Sequence, residues 1–250
     1  LDLSIEPIVK LEHPSAKAFL TVLEVLGNIV DEALFTFTDE GLLVRALDPA
    51  KVALIDISIP SSVFLEYSIS RNLGVGVNLT FTLKTLPTPK KTDKLVLLAN
   101  DEFYELVIEG VGIKRYKYRS IEVSATEIPE IQLDFKVRAL IVSQAFRTAI
   151  KDLKGAGSIA FVTEDSDNLY LKAAEGGAQV KLSKVGGSII DMEVQEPSKC
   201  VYDEDYIVKV LDLAGVTESI ELKFGNDLPL NLYFTLVDGG SVKYLLAPKA

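Results

Sequence analysis

"AKAFLTVLEVL" (Ala16 to Leu26) and "SQAFRTAIKDL" (Ser143 to Leu153) are two versions of one pattern. Set in register they align Phe19 with Phe146. The first continues as Phe19, Val22, Leu23, Leu26, Ile29 and Val30, the second as Phe146, Ala149, Ile150 and Leu153. Spacing of i, i+3, i+4, i+7 places each set along one side of a helix. The register holds downstream, where "FTFTDEGLLVRAL" (Phe35 to Leu47) pairs with "IAFVTEDSDNLYLKAA" (Ile159 to Ala174). Val44 then matches Leu171 and Arg45 matches Lys172, at an offset of about 127 residues in a chain of 250. The pattern is a duplication.

Outside these segments, period-2 alternation dominates. Phe35 and Phe37, Ile55 to Ile59, Leu169 and Leu171, Ile220 to Phe224, and Leu230 to Phe234 alternate with polar residues. They predict half-buried antiparallel strands separated by turns at Asp39-Glu40-Gly41, Gly176-Gly177 and Asp238-Gly239-Gly240. Two shorter helices are predicted, one from Asn78 (Leu79, Thr82, Leu83, Leu86) and one from Asp203 (Ile207, Val210, Leu211, Ala214). Ser143 is the predicted N-cap of the second long helix, and "GVGVN" (Gly74 to Asn78) reads as a turn before a helix. "SIEVSATEIPEI" (Ser120 to Ile131) is acidic, lacks strand alternation and reads as a linker. The expected organisation is therefore an α+β domain over residues 1–119, a connecting loop over 120–131 and a second, similar domain over 132–250. In each, a sheet carries two helices on one face.

Composition narrows the function. Apolar residues make up 48% of the chain and charged residues 25%, which suits a folded globular protein. No apolar run approaches the roughly 18 residues of a membrane span, and no signal peptide is visible. The single cysteine, Cys200, fits a reducing, intracellular setting. Zinc-type metal sites want clustered His and Cys, and this chain has one of each, 187 positions apart. His13, before Pro14, reads as a surface or turn residue, with no nucleophile elbow to complete a triad. No catalytic constellation, cofactor motif or metal site is present, so an enzyme has no residues to stand on.

The formal charge of −10 argues against a protein coated by nucleic acid, but leaves room for a local basic stripe. Arg147, Lys151 and Lys154 fall on one side of their helix, opposite its apolar stripe. Lys84 lies on the helix from Asn78, followed by Lys90 and Lys91 with no acid among them. Lys17 and Lys209 add single charges to the other two helices. For any one helix, a solvated face explains such charges. Basic residues recurring on several helices weaken that explanation.

Several stretches together resemble the DNA polymerase sliding clamps of archaea and eukaryotes, the proliferating cell nuclear antigen family. They are "GLLVRALDPAKVALIDISIP" (Gly41 to Pro60), "RNLGVGVNLTFTLKTL" (Arg71 to Leu86), "EIPEI" (Glu127 to Ile131), "KFGNDLPLNLYF" (Lys223 to Phe234) and "KYLLAPK" (Lys243 to Lys249). The resemblance spans essentially the whole chain and is nearer to archaeal members. It implies the clamp fold: three two-domain chains closing a pseudo-sixfold ring, with helices lining a hole around duplex DNA. Lys17, Lys84, Arg147, Lys151, Lys154 and Lys209 would face the DNA. Asp212 stands where the family often has a lysine. Sequence-independent contact between a basic lining and phosphates permits sliding.

The resemblance also bears on the terminus "VKYLLAPKA" (Val242 to Ala250), which stays apolar almost to its end. It implies a hydrophobic pocket for a short partner peptide, built here from Leu47, Val52, Ile128, Pro129, Pro229, Leu245, Ala247 and Pro248. Plain core packing is the other explanation of these residues. Expected users of the pocket are DNA polymerase, flap endonuclease, DNA ligase and the clamp loader. Subunits would join through "GIKRYKYR" (Gly112 to Arg119) and "AQVKLSK" (Ala178 to Lys184). Lys114, Arg115, Lys117 and Arg119 would there face Val180, Leu182 and two lysines. Like charges across paired strands oppose self-association, so a heterotrimer with more acidic sibling chains is expected. The expected setting is intracellular, the cytoplasm or nucleoid of an archaeon, or the nucleus if eukaryotic. A checkpoint-type clamp subunit and a β-rich peptide-binding module that never encircles DNA are the competing readings.

Overall fold

A computed structural model describes residues 5–128 and 130–250. Contacts divide them into two compact units: the first runs to Pro49 and adds Ile55–Glu127 and Asp238–Ser241, and the second holds Ala50–Leu54, Ile128–Val237 and Val242–Ala250. Pro129 lies outside the described residues. Among the described residues no helix is long and apolar enough to cross a membrane.

The first unit is built from β1 (Val9–His13), α1 (Ala16–Ile29), β2 (Glu32–Thr38), β3 (Gly41–Leu47), β4 (Ala53–Pro60), β5 (Glu66–Ile69), β6 (Leu73–Asn78), α2 (Leu79–Thr85), β7 (Lys94–Ala99), β8 (Phe103–Glu109) and β9 (Ile113–Arg119). Its strands run in two orders, β5-β1-β7-β8-β9 and β4-β3-β2-β6, and every register determined is antiparallel. Ser15 caps α1 by accepting from the Ala18 amide at 3.1 Å, and Asn78 caps α2 by accepting from Phe81 at 3.0 Å. The α1 stripe of Phe19, Leu23 and Leu26 is buried, each side chain contributing about 2 kcal/mol of apolar burial.

The second unit repeats the plan: β10 (Val137–Val142), α3 (Ser143–Asp152), β11 (Ser158–Thr163), β12 (Asn168–Ala173), β13 (Gln179–Ser183), β14 (Ile189–Val194), β15 (Ser198–Asp203), α4 (Glu204–Val208), a 3-10 turn (Leu211–Gly215), β16 (Thr217–Phe224), β17 (Leu230–Leu236) and β18 (Ser241–Leu246). Its strand orders, β14-β10-β16-β17-β18 and β13-β12-β11-β15, are those of the first unit with each number raised by nine. Phe146, Val44 and Leu171 are buried as the aligned repeat requires. The chain is thus a duplication in topology as well as in sequence.

Both units also close an exposed sheet edge the same way. After β9, the Ile121 amide donates to Gly76 O on β6 at 3.0 Å; after β18, the Lys249 amide donates to Val201 O on β15 at 2.8 Å. Each strap satisfies backbone groups that would otherwise invite non-native pairing.

Four local expectations are corrected. "GVGVN" is strand β6, not a turn, because its glycines serve close packing: a Cβ at Gly76 would lie 1.7 Å from Ile121 O. Ser143 is the first helical residue of α3 and Val142 stands at the cap position. Its buried hydroxyl instead donates to Thr217 O at 2.7 Å and Ala214 O at 3.3 Å, satisfying a group that burial would penalise. The fourth helix stops at Val208 and resumes as a 3-10 turn. Leu213 is buried along with Val210, Leu211 and Ala214, and a three-residue repeat aligns Val210 with Leu213 and Leu211 with Ala214.

The fourth correction is His13, which is 3% exposed. It lies between the rings of Phe19 and Phe64, at 5.5 and 5.8 Å, and its Nδ1 faces the Ser15 amide at 3.1 Å. Burial is the largest influence and lowers its pKa from 6.5. The unfolded chain therefore binds this proton more readily than the folded one. Stability should be full above about pH 6.5 and fall as the pH drops towards 5. Urea titrations across this range should show the loss, and His13→Asn, which keeps an acceptor for Ser15, should flatten it; an unchanged slope in the variant would clear His13.

Candidate functional site

In the first unit α1 and α2 pack side by side, close enough that a Cβ on Gly27 would meet Leu83 Cδ1 at 2.6 Å. Lys17 on α1 and Lys84 on α2 are exposed, and neither is within ion-pair distance of an acid among the described residues. In the second unit Lys151 on α3 and Lys154 just beyond it are likewise exposed and unpaired. Arg147 differs. Its Nη2 lies 3.5 Å from Asp212 Oδ1, and its Nε is buried without a partner. Asp212 thus holds the neighbouring arginine in an ion pair. Lys209 is half-buried and its Nζ sits 4.8 Å over the Tyr206 ring.

The segment carrying Lys151 and Lys154 is held by a device that sequence reading missed. Glu204, 4% exposed at the start of α4, accepts from the Gly155 amide at 2.8 Å with one oxygen and from Gly157 at 2.7 Å with the other. Gly157 O in turn faces Lys249 Nζ at 3.4 Å, and that ammonium is 3.8 Å from Asp203. An acid at a helix start is an ordinary signal; its two acceptor bonds come from a loop about fifty residues upstream.

The expected subunit-joining strands, β9 and β13, are both terminal in their strand orders. Ser120 donates to Glu102 O at 2.8 Å within the β8–β9 register. The alternation of antiparallel pairs then turns the backbone groups of Ile113, Arg115, Lys117 and Arg119 outward. Bonds from Ala173 to Ala178 O and from Lys184 to Asp167 O do the same for Gln179, Lys181 and Ser183 on β13. Leu182 is buried and Val180 half-buried on the inner side of β13, as are Tyr118 and Tyr116 on β9. Arg115 is not a free cation: it reaches Glu105, which is fully buried, at 2.8 Å. Lys117 and Arg119 lie over the Phe103 ring at 4.2 and 5.0 Å. Lys114 has no ion pair among the described residues, while Lys184 is 3.9 Å from Asp167. Beside β9, Phe81 on α2 leaves 56% of its surface exposed and meets Tyr118 edge-on at 6.0 Å. Sequence pattern alone gave no sign of this aromatic, because Tyr118 comes from a distant strand.

The C-terminal strand resolves the apolar terminus. Val242, Tyr244 and Leu246 are buried core, whereas Leu245, Ala247 and Pro248 are half-exposed. Ala247 donates to Val52 O at 2.8 Å, so the structure brings the tail and Val52 together. Pro229 and Ile128, in the same unit, are half-buried as well; Leu47, half-buried, belongs to the first unit. Lys51, next to Val52, holds a left-handed φ of 60°, a conformation that side chains rarely adopt.

A duplicated α+β clamp topology with exposed lysines on its helices defines the class, and comparison with known proteins supplies the family. Residues 9–135 match the family model described as proliferating cell nuclear antigen, N-terminal domain. The DNA polymerase sliding clamp of Thermococcus sibiricus is 33% identical over 239 residues, covering 94% of this chain and 95% of the relative. That of Thermofilum pendens is 31% identical over 245 residues, covering 97% and 99%. Among solved structures, the PCNA2–PCNA3 complex of Sulfolobus tokodaii superposes with a TM-score of 0.90 at 30% identity, over 96% of this chain and 99% of the other. PCNA of Thermococcus kodakaraensis gives 0.88 at 27%, over 96% and 100%. The chain belongs to the proliferating cell nuclear antigen family.

Proposed function

We propose that this chain is a subunit of a DNA polymerase sliding clamp, a non-catalytic processivity factor that encircles duplex DNA and tethers replication and repair enzymes. The observation that carries this reading is a set of exposed lysines with no ion pair among the described residues, Lys17, Lys84 and Lys151 on the helices and Lys154 just beyond α3, in a chain whose formal charge is −10. Such a lining attracts phosphates over a distance without reading bases. Residues 1–119 and 132–250 would act as the two clamp domains and 120–131 as the connector between them. Arg147 and Lys209 would be weaker members of the lining, Arg147 through its pairing with Asp212. Val52, Ile128, Pro229, Leu245, Ala247 and Pro248, with Leu47 and Pro129, would take a short hydrophobic peptide from a polymerase, flap endonuclease, ligase or clamp loader.

Topology gives the test. A closed ring should stay on circular DNA through a high-salt wash and leave once the circle is cut, whereas purely electrostatic binding is lost to salt on both forms. Equal loss from circle and line would favour the peptide-binding module instead.

We further propose that the ring is a heterotrimer. Adding β13 of an identical chain to β9 would set Lys117 and Arg119 against Lys181 with no acid between them, while Phe81, Tyr116 and Val180 supply apolar contact on the face that also carries Lys114. Light scattering of the purified chain at moderate salt and micromolar concentration should give a mass below three times 27.3 kDa, rising to a trimer when acidic sibling chains are added. A stable homotrimer would overturn this assembly and leave the clamp reading in place.

A further inference from the structure

Lys90 and Lys91 belong to no element described above, yet their placement is tightly controlled. They sit in the turn after α2, behind Pro87 and Pro89, and both are exposed. Asp93, the acid nearest in sequence, does not neutralise them. It is 6% exposed, and its Oδ2 accepts the Lys90 backbone amide at 2.8 Å. Its Oδ1 lies against Gly110, where a Cβ would be only 2.1 Å away. The Asp93 carbonyl accepts the Ala16 amide at 2.8 Å, which ties the turn to the start of α1 one residue before Lys17. Asp93 therefore spends its carboxylate on the backbone, and its carbonyl fastens the turn that carries the two exposed lysines to the start of α1. Among the described residues neither Lys90 nor Lys91 is within ion-pair distance of an acid.

Resting on the clamp reading, we infer that Lys90 and Lys91 form, with Lys17, a phosphate-contacting patch that extends the basic lining past the end of α2. The ligand is the phosphodiester backbone of duplex DNA, contacted at the end of the helical lining where α1 begins. Two mobile ammonium groups on a rigid turn suit sequence-independent contact with moving phosphates. Asp93 is the positioning residue.

The test uses the full chain and a short blunt duplex, with affinity followed by amide NMR shifts over a salt series. Each phosphate contact contributes about −0.9 to the slope of log K against log salt, so Lys90→Glu/Lys91→Glu should flatten the slope by about 2. The amides of Lys17, Lys90 and Lys91 should shift in the parent protein. Lys199→Glu/Lys243→Glu, matched in net charge, should leave the slope closer to the parent value. Equal slopes for the two double variants would overturn the patch, and so would duplex-induced shifts at Lys84 and Lys151 without any at Lys90 and Lys91; both outcomes keep the clamp reading. Absence of any shift on duplex addition would overturn the patch, while the clamp reading is tested separately by retention on circular DNA.

Discussion

Gly76→Ala should lower stability by roughly 2–4 kcal/mol, about the cost of overpacking or a displaced backbone, and weaken binding of a partner peptide about tenfold. Gly74→Ala, two residues earlier in the same strand, should be within about 1 kcal/mol of neutral. A Cβ at position 76 would sit 1.7 Å from Ile121 O and 2.7 Å from its carbonyl carbon, whereas one at position 74 meets only the Leu34 Cδ1 methyl, at 3.3 Å. A methyl at the end of a flexible side chain gives way; a hydrogen-bonded backbone does not. Shifting it sacrifices the Ile121 amide bond to Gly76 O at 3.0 Å and the 3.2 Å bond from the Gly76 amide to Ser120 Oγ.

The functional half of that expectation follows from chain continuity. Ile121 is the second residue of the connector, and Ile128 lies seven residues further along it. A connector freed from β6 presents Ile128 as an ensemble, and ordering it again on binding subtracts from affinity. Urea titration gives the stability change, and fluorescence anisotropy with a labelled partner peptide gives the affinity. Gly76→Ala as mild as Gly74→Ala would show that the strap does not hold the connector. Lost stability with unchanged affinity would confine its role to closing the sheet edge.

What the sequence disclosed and what it hid divide along the range of the interactions. Phe19 and Phe146 announce the duplication because an amphipathic stripe is a local property, and so are the alternating strands around Ile57, Leu171 and Leu232. The helix start at Asn78 was legible for the same reason. Gly76 was misread because its glycine answers to a carbonyl some forty-five residues away. His13 was taken for a surface residue because Phe64, which covers one side of its ring, follows three strands later. Among the candidate site residues, exposure of Lys17, Lys84, Lys151 and Lys154 was foreseeable from helical periodicity. The entanglement of Arg147 with Asp212 and of Arg115 with Glu105 was not. Both pairs join residues on different elements, and each subtracts a charge that composition counts as free.

Glu204→Ala should cost about 2–3 kcal/mol, since hydrogen bonds to a charged group contribute roughly 1.5–3 kcal/mol each and two bonds to one carboxylate are not additive. Both oxygens accept backbone amides, from Gly155 at 2.8 Å and Gly157 at 2.7 Å, and both glycines hold left-handed φ values of 88° and 70°. A glutamine offers one acceptor and turns an NH2 towards the second donor. Glu204→Gln should therefore be nearly as damaging as alanine, although it keeps the shape of the side chain. Loss of the clamp frees the loop after α3, so the Gly155 and Gly157 amides should exchange with solvent well before the α3 amides do. Lys154 and Lys151, carried by this segment, should then bind duplex DNA with a shallower salt slope. Lys249→Ala provides the graded comparison: its ammonium, 3.8 Å from Asp203 and 42% exposed, should be worth less than about 1 kcal/mol. If Glu204→Gln matches the parent protein in stability and exchange, one oxygen suffices and the two-bond clamp is wrong. If it fails like alanine while Lys249→Ala stays near the parent, the buried carboxylate alone holds the basic end of α3 in place.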